Sequence, residues 1–169
     1  MHALCAIHAA YPGVIDHAAR HDNGDATRWL ADAAAGFADE RGTLAQLAAA
    51  VGPAPSTPAQ DKAEAAIVGQ RRALELLASS DRVGCAFGAA VALVLDWQAI
   101  RAVLDAAAAQ LALTPAPARL PAPATTLRAV RAADASSSMA RALRFGAEQL
   151  LAQHRGLWDL LEARAGARA

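Results

Sequence analysis

Glu40, Gln70 and His154 each interrupt a series of apolar residues near its middle. In all three series the members recur at alternating steps of four and three residues, which is typical of the buried face of a helix in a bundle. A carboxylate, an amide and an imidazole at one height could bind a small ligand or a metal ion. They could equally form a hydrogen-bonded layer that fixes the register of the helices. The sequence leaves both interpretations open.

A second candidate site is a pair of histidines near the start of the chain. His17 and His21 are four residues apart, so on a helix their imidazoles would share one face and could hold a metal ion between them. Neither belongs to an HExxH motif, and two imidazoles alone make a weak site. The alternative is that both are solvated surface histidines.

A carboxylate and a histidine at mid-height in a helical bundle resemble the ferritin-like di-metal proteins in architecture. That family uses Glu-x-x-His pairs on two of its helices. No glutamate of this chain has a histidine three residues further on: Glu40, Glu64, Glu75, Glu148 and Glu162. The resemblance is one of architecture, and we do not assign the chain to that family.

These side chains require long helices to position them, and the most apolar segment predicts the central one at 81–112. Between Val83, the first member of its buried face, and Leu104, its only charged residues are Asp96 and Arg101. Other elements must therefore cover it on most sides.

Two further features of the central segment bear on its surroundings. Its uncharged part, Val83–Leu95, is shorter than the roughly 20 residues that cross a bilayer, so we predict a core helix and not a membrane span. Gly84, Gly88 and Ala92 are four residues apart on one face, where their small size lets another helix approach closely or leaves a gap.

We predict an all-α fold: an up-and-down antiparallel four-helix bundle with a short N-terminal helical lead-in and a Pro-rich connection before the last helix. The whole chain, 1–169, is expected to be a single domain. Its predicted parts are a lead-in at 1–23, main helices at 25–51, 58–79, 81–112 and 136–166, and a proline-rich linker at 114–125.

The connections leave some choices open. The second and third main helices should form an antiparallel hairpin, the alternative being one long helix bent at Gly84. The four prolines of 114–125 favour an extended segment, which could lie along the bundle as a crossover or splay out as a loop. In the bundle Glu40, Gln70 and His154 share a level, and Glu40 is either partnered inside or rotated to the rim.

Composition limits the classes of function. Sixteen basic and sixteen acidic residues balance, so no overall field recruits nucleic acid or an anionic membrane. Arginines between Arg119 and Arg144 outnumber the single carboxylate Asp134, which is typical of a solvated face. The chain is alanine-rich and has a single lysine, a bacterial-like composition that indicates a GC-rich genome. Cys5 and Cys85 lack metal spacing, and with no signal peptide evident they indicate reduced thiols in the cytoplasm.

Two hypotheses of function follow. The first is a non-enzymatic helical-bundle protein that acts through partner contact or self-association, with no cofactor, no membrane and no nucleic acid. The alternative is a small-ligand or metal-binding bundle that uses Glu40, Gln70 and His154. The sequence has no GxSxG elbow, no phosphate-binding glycine loop and no cysteine-histidine zinc spacing, so we expect no enzyme.

Overall fold

The computed structural model describes residues 1–21, 24, 26–54, 58–133 and 136–166. Within these ranges the chain forms seven α-helices and no strand, so the predicted all-α class is confirmed. The helices are α1 (His2–His8), α2 (Val14–His21), α3 (Thr27–Val51), α4 (Pro58–Ala78), α5 (Cys85–Gln110), α6 (Pro123–Ala133) and α7 (Ser137–Gly166).

The four long helices α3, α4, α5 and α7 correspond to the four predicted ones. The short helices α1 and α2, which the sequence indicated only as a lead-in, belong to the core: Leu4 and Ile15 are almost completely buried. Helix α1 packs against α3 and α4, and α2 packs against α3, α4 and α5. The residues before α3 therefore fill the interior between long helices. The up-and-down order of the long helices stays a prediction.

The central helix α5 begins at Cys85, later than the sequence predicted. Gly84 has a φ of 94°, a left-handed conformation that glycine adopts without strain, and it ends the turn before the helix. The placement of Val83 on the buried face is therefore wrong: it lies in that turn, and 79 % of its surface is exposed. Because α4 and α5 are separate helices, the alternative of one long helix bent at Gly84 is excluded.

Helices α5 and α7 pack most closely of all the described pairs. A Cβ added to Gly88 would lie 1.9 Å from the carbonyl oxygen of Leu143, and one added to Gly146 would lie 2.0 Å from that of Cys85. Only hydrogen atoms fit between these backbones. The close approach predicted at Gly88 is confirmed, and Gly146 is its counterpart on α7.

The proline-rich connection lies against the helices and does not splay out. Arg101 donates from Nη2 to the carbonyl oxygen of Ala116 at 2.5 Å, and Arg119 pairs with Asp39 at 2.6 Å. These contacts hold the extended segment between α5 and α6 on α5 and α3. Of the two alternatives for the proline-rich connection, the structure favours the segment that lies along the helices. The predicted bounds 114–125 are wrong at their end, because α6 begins at Pro123 and proline fits the first turn of a helix.

Helix α5 is long and apolar enough to span a bilayer, alone among the helices that the structure describes. However, 67 % of its most apolar window is buried inside the fold. Such burial is typical of the core helix of a soluble protein. A cytoplasmic location stays a prediction.

Candidate functional site

Glu40 lies inside the fold, fully buried on α3. Its Oε2 accepts a hydrogen bond from Nε1 of Trp97 at 2.9 Å, and its Oε1 accepts one from Nη1 of Arg101 at 2.7 Å. Of the two positions open to Glu40, the structure therefore has the inward, partnered one. Both partners come from α5, so this ion pair joins the first long helix to the central one.

Arg101 is the hub of this buried network. Besides Glu40 it binds Asp105 through Nε at 2.7 Å and the carbonyl oxygen of Ala116 through Nη2. Burial alone would lower the pKa of Arg101, but hydrogen bonds and charges of Asp105 and Glu40 raise it above its ordinary value. The guanidinium therefore stays charged, with each of its three nitrogens already bonded.

Gln70 contacts the last helix and shares no hydrogen-bond partner with Glu40 among the described residues. Its Nε2 donates to the carbonyl oxygen of Gln153 on α7 at 3.3 Å, while its Oε1 is buried and has no hydrogen-bond partner among the described residues. The predicted layer thus divides into two parts. Glu40 pairs with α5, and Gln70 contacts the α7 backbone next to His154.

His154 is buried on α7 and pairs with Asp96 of α5, its Nδ1 lying 2.5 Å from Oδ2. Glu40, which was predicted at the same level, is not this partner, because its two oxygens accept hydrogen bonds from Trp97 and Arg101. In a neutral His154 the proton lies on Nδ1, because a carboxylate accepts, and Nε2 presents a lone pair. This second carboxylate contact again joins α5 to a neighbour.

His8 of α1 is a site residue that the sequence analysis missed. Its ring centroid lies 5.0 Å from that of His154 and 5.3 Å from that of Trp97. Burial, followed by the charge of His154, lowers the pKa of His8 to about 3, so His8 is neutral at pH 7. The Nε2 atoms of both histidines are buried and have no hydrogen-bond partner among the described residues.

The signals for this histidine pair were present in the sequence. Leu4, Ile7 and His8 stand three and four residues apart, which places His8 on the apolar face of a short helix. Asp96 is one of two charges in the central apolar run, and a carboxylate there needs a polar partner. Neither signal identifies His154 as the neighbour of both residues, because α1, α5 and α7 are far apart in sequence.

The histidine pair predicted to bind a metal, His17 and His21, lies on α2. His17 is half-buried on α2, and the side chain of His21 lies outside the described residues. Throughout the part of the chain that the structure describes, no three His, Cys, Asp or Glu side chains come close enough to hold a metal ion. Metal binding by His17 and His21 stays a prediction.

A surface groove lies where the turn before α5 meets the start of α7, and we name it the α5–α7 groove. It has a volume of about 610 Å³. Val83 and Phe145 expose 79 % and 40 % of their surface there, and the guanidinium carbon of Arg82 lies 5.2 Å from the ring centroid of Phe145. The residues lining it are Arg82, Val83, Ser136, Ser138, Met139, Arg141, Ala142, Arg144, Phe145 and Glu148.

Taken together, the fold and these sites define an all-helical protein with an internally bonded polar core and a groove that is both basic and apolar. The chain belongs to a family of unknown function (DUF6975), whose sequence model matches residues 1–169. No curated protein and no solved structure matches the chain.

Proposed function

We propose that this protein is a non-enzymatic helical protein that acts by binding a protein partner, and that the α5–α7 groove is its contact surface. The observation that carries the proposal is the exposure of Val83 and Phe145 beside three arginines. A contiguous exposed apolar patch rimmed by polar residues is typical of an interaction site, and Val83 and Phe145 line the same groove.

The interior supports a structural role for the Glu40 layer. Both carboxylate oxygens of Glu40 and all three nitrogens of Arg101 bind other groups of the chain. Such a network fixes the relative position of helices. We propose that α3, α4, α5 and α7 run up and down around it as an antiparallel bundle, with α1 and α2 filling its side.

Site-specific photocrosslinking in cells of the source organism tests the contact surface. Benzoylphenylalanine replaces Val83 or Phe145 in the groove, and Leu127 on α6, which is also exposed, serves as the matched control. We expect one discrete adduct from both groove positions and none from Leu127. Adducts that form equally at all three positions, or at none, contradict the proposal. An adduct with the mass of a dimer identifies self-association as the form that the contact takes.

A second candidate function is small-ligand or metal binding at the mid-bundle layer. The predicted residues of this layer are Glu40, Gln70 and His154. The observation that favours ligand binding concerns His154. Its ring is adjacent to that of His8, and among the residues that the structure describes neither Nε2 has a hydrogen-bond partner. Native mass spectrometry of the purified protein decides: a bound mass that disappears in His154→Gln supports this candidate, and a bare chain contradicts it.

A further inference from the structure

We infer that the α5–α7 groove recognises a protein segment that is acidic and carries at least one apolar side chain. The inference rests on the proposed function and names the chemistry of the partner. It follows from three properties of the groove: its charge, its apolar floor and its size.

The groove has more positive charge than the chain as a whole. Its lining contains Arg82, Arg141 and Arg144 against one carboxylate, Glu148, whereas the complete sequence is neutral. Among the described residues, neither Arg82 nor Arg141 forms a salt bridge with its side chain. A guanidinium without an internal carboxylate is free to bind one from a partner in the two-toothed geometry that arginine favours.

The third arginine of the groove, Arg144, forms only a weak ion pair within the protein. Nε of Arg144 lies 3.5 Å from Oε1 of Glu148, and the two side chains are 78 % and 63 % exposed. Exposed pairs one helical turn apart contribute little to stability and are screened by salt. A carboxylate of a partner can therefore replace Glu148 as the counter-ion of Arg144 at small cost.

The apolar part of the groove accounts for the second half of the inference. Val83 projects from the turn before α5, and Phe145 is held beneath the guanidinium of Arg82. The cation-π contact restricts the side chains of Arg82 and Phe145 before any partner arrives. Less conformational entropy is therefore lost when the partner binds. An apolar side chain of the partner that covers Val83 and Phe145 removes their exposed surface from water.

A peptide fits these features better than nucleic acid or a membrane surface. Three arginines with one opposing glutamate, a single aromatic ring and no lysine make a small electrostatic footprint for a phosphate backbone. The aliphatic and aromatic floor has no role in binding phosphates. A groove of about 610 Å³ encloses a few side chains of one segment.

Selection from a library of random peptides displayed on phage tests the inference. Immobilised full-length protein is the bait, and counter-selection uses the variant that combines Arg141→Gln and Arg144→Gln. We expect the enriched peptides to be rich in Asp and Glu and to share one apolar position. The best peptide, fluorescein-labelled, should bind the double variant at least about tenfold more weakly in anisotropy measurements, and its affinity should fall as salt is added.

Matched substitutions control for folding and for non-specific charge. Arg131→Gln removes an exposed arginine of α6 outside the groove and should leave the affinity unchanged. Phe145→Ser should weaken binding of the peptide, whereas Leu127→Ser at an exposed position of α6 should leave its affinity unchanged. These three side chains and those of Arg141 and Arg144 are exposed, so thermal unfolding of the variants should match that of the parent protein.

Several outcomes overturn the inference. Enrichment of peptides without acidic residues does so, as does the absence of any peptide that depends on Arg141 and Arg144. Tighter groove-dependent binding to single-stranded DNA or to phosphatidylserine vesicles also overturns it, in favour of a phosphate ligand. If photocrosslinks at Val83 and Phe145 persist while acidic peptides fail, the proposed function stands and only the chemistry of the partner is wrong. If crosslinks also fail, both are wrong.

Discussion

The imidazole of His154 and the carboxylate of Asp96 meet at 2.5 Å, and this contact lies between the two most closely packed helices, α5 and α7. His154 is buried, while Asp96 keeps part of its carboxylate in water. A polar pair at such an interface favours one rotation of the two helices, because a different register would leave the buried imidazole without this partner.

Removal of the Asp96 carboxylate should therefore destabilise the protein. In Asp96→Ala, Nδ1 of buried His154 loses its partner, which should lower the free energy of unfolding by about 1–3 kcal/mol. Asp96→Asn keeps an acceptor oxygen at the same place and should lose less. Urea denaturation of the two variants and the parent measures the difference. Equal losses in both variants would show that the hydrogen bond does not contribute.

Breaking the buried ion pair of Glu40 and Arg101 should destabilise the protein more than breaking an exposed one. Glu40→Gln removes the buried one of the two carboxylates that pair with Arg101 and leaves only Asp105, whose side chain is half exposed, so it should cost about 3 kcal/mol in the free energy of unfolding. The exposed pair of Asp39 and Arg119 is the internal control, and Asp39→Asn should cost less than about 1 kcal/mol. Denaturant unfolding at neutral pH compares the two. Similar losses would mean that solvent reaches Glu40.

Much of the fold could be predicted because it depends on local signals. The four long helices follow from three-and-four periodicity, and their ends lie near glycine and proline. The core position of α1 and α2 could not be predicted in the same way. Both are short, and their burial depends on a gap between α3 and α4 that no local pattern encodes.

The partners within the candidate site were also beyond what local sequence patterns could predict. Periodicity placed Glu40 and His154 at one level on apolar helix faces but left open whether Glu40 turns inward, and the structure buries both side chains. Their actual partners, Arg101 and Asp96, are the two charges in the central apolar run. Partner choice depends on helix rotation and on small differences in height, and alanine-rich faces leave both poorly defined in the sequence.

The contact between α5 and α7 gives a third expected result. In Gly88→Ala the new methyl group would lie 1.9 Å from the carbonyl oxygen of Leu143, so the two backbones must separate. We expect a loss of about 3 kcal/mol or more in the free energy of unfolding. Gly69→Ala is the matched control, because nothing lies within 4 Å of the added atom. There alanine should add up to about 1 kcal/mol, since it favours the helix more than glycine does.

Thermal and chemical denaturation of these two alanine variants give the comparison directly. Opposite signs at Gly88 and Gly69 are expected, because an added methyl group meets the α7 backbone at Gly88 and open space at Gly69. A Gly88→Ala protein as stable as its parent would contradict the close crossing of α5 and α7.

The last prediction concerns the pH dependence of stability that His8 produces. Burial and the charge of His154 lower its pKa in the folded protein from 6.5 to about 3. Between these values the unfolded chain binds a proton that the folded chain does not, so stability falls as pH decreases from about 6.5 towards 3. The contribution reaches at most about 1.4 kcal/mol per pH unit. In His8→Leu this part should vanish, and the free energy of unfolding should depend less steeply on pH between 6.5 and 4. Parallel curves for variant and parent, measured by denaturant unfolding across that range, would show that His8 takes up its proton equally in both states and is not buried as described.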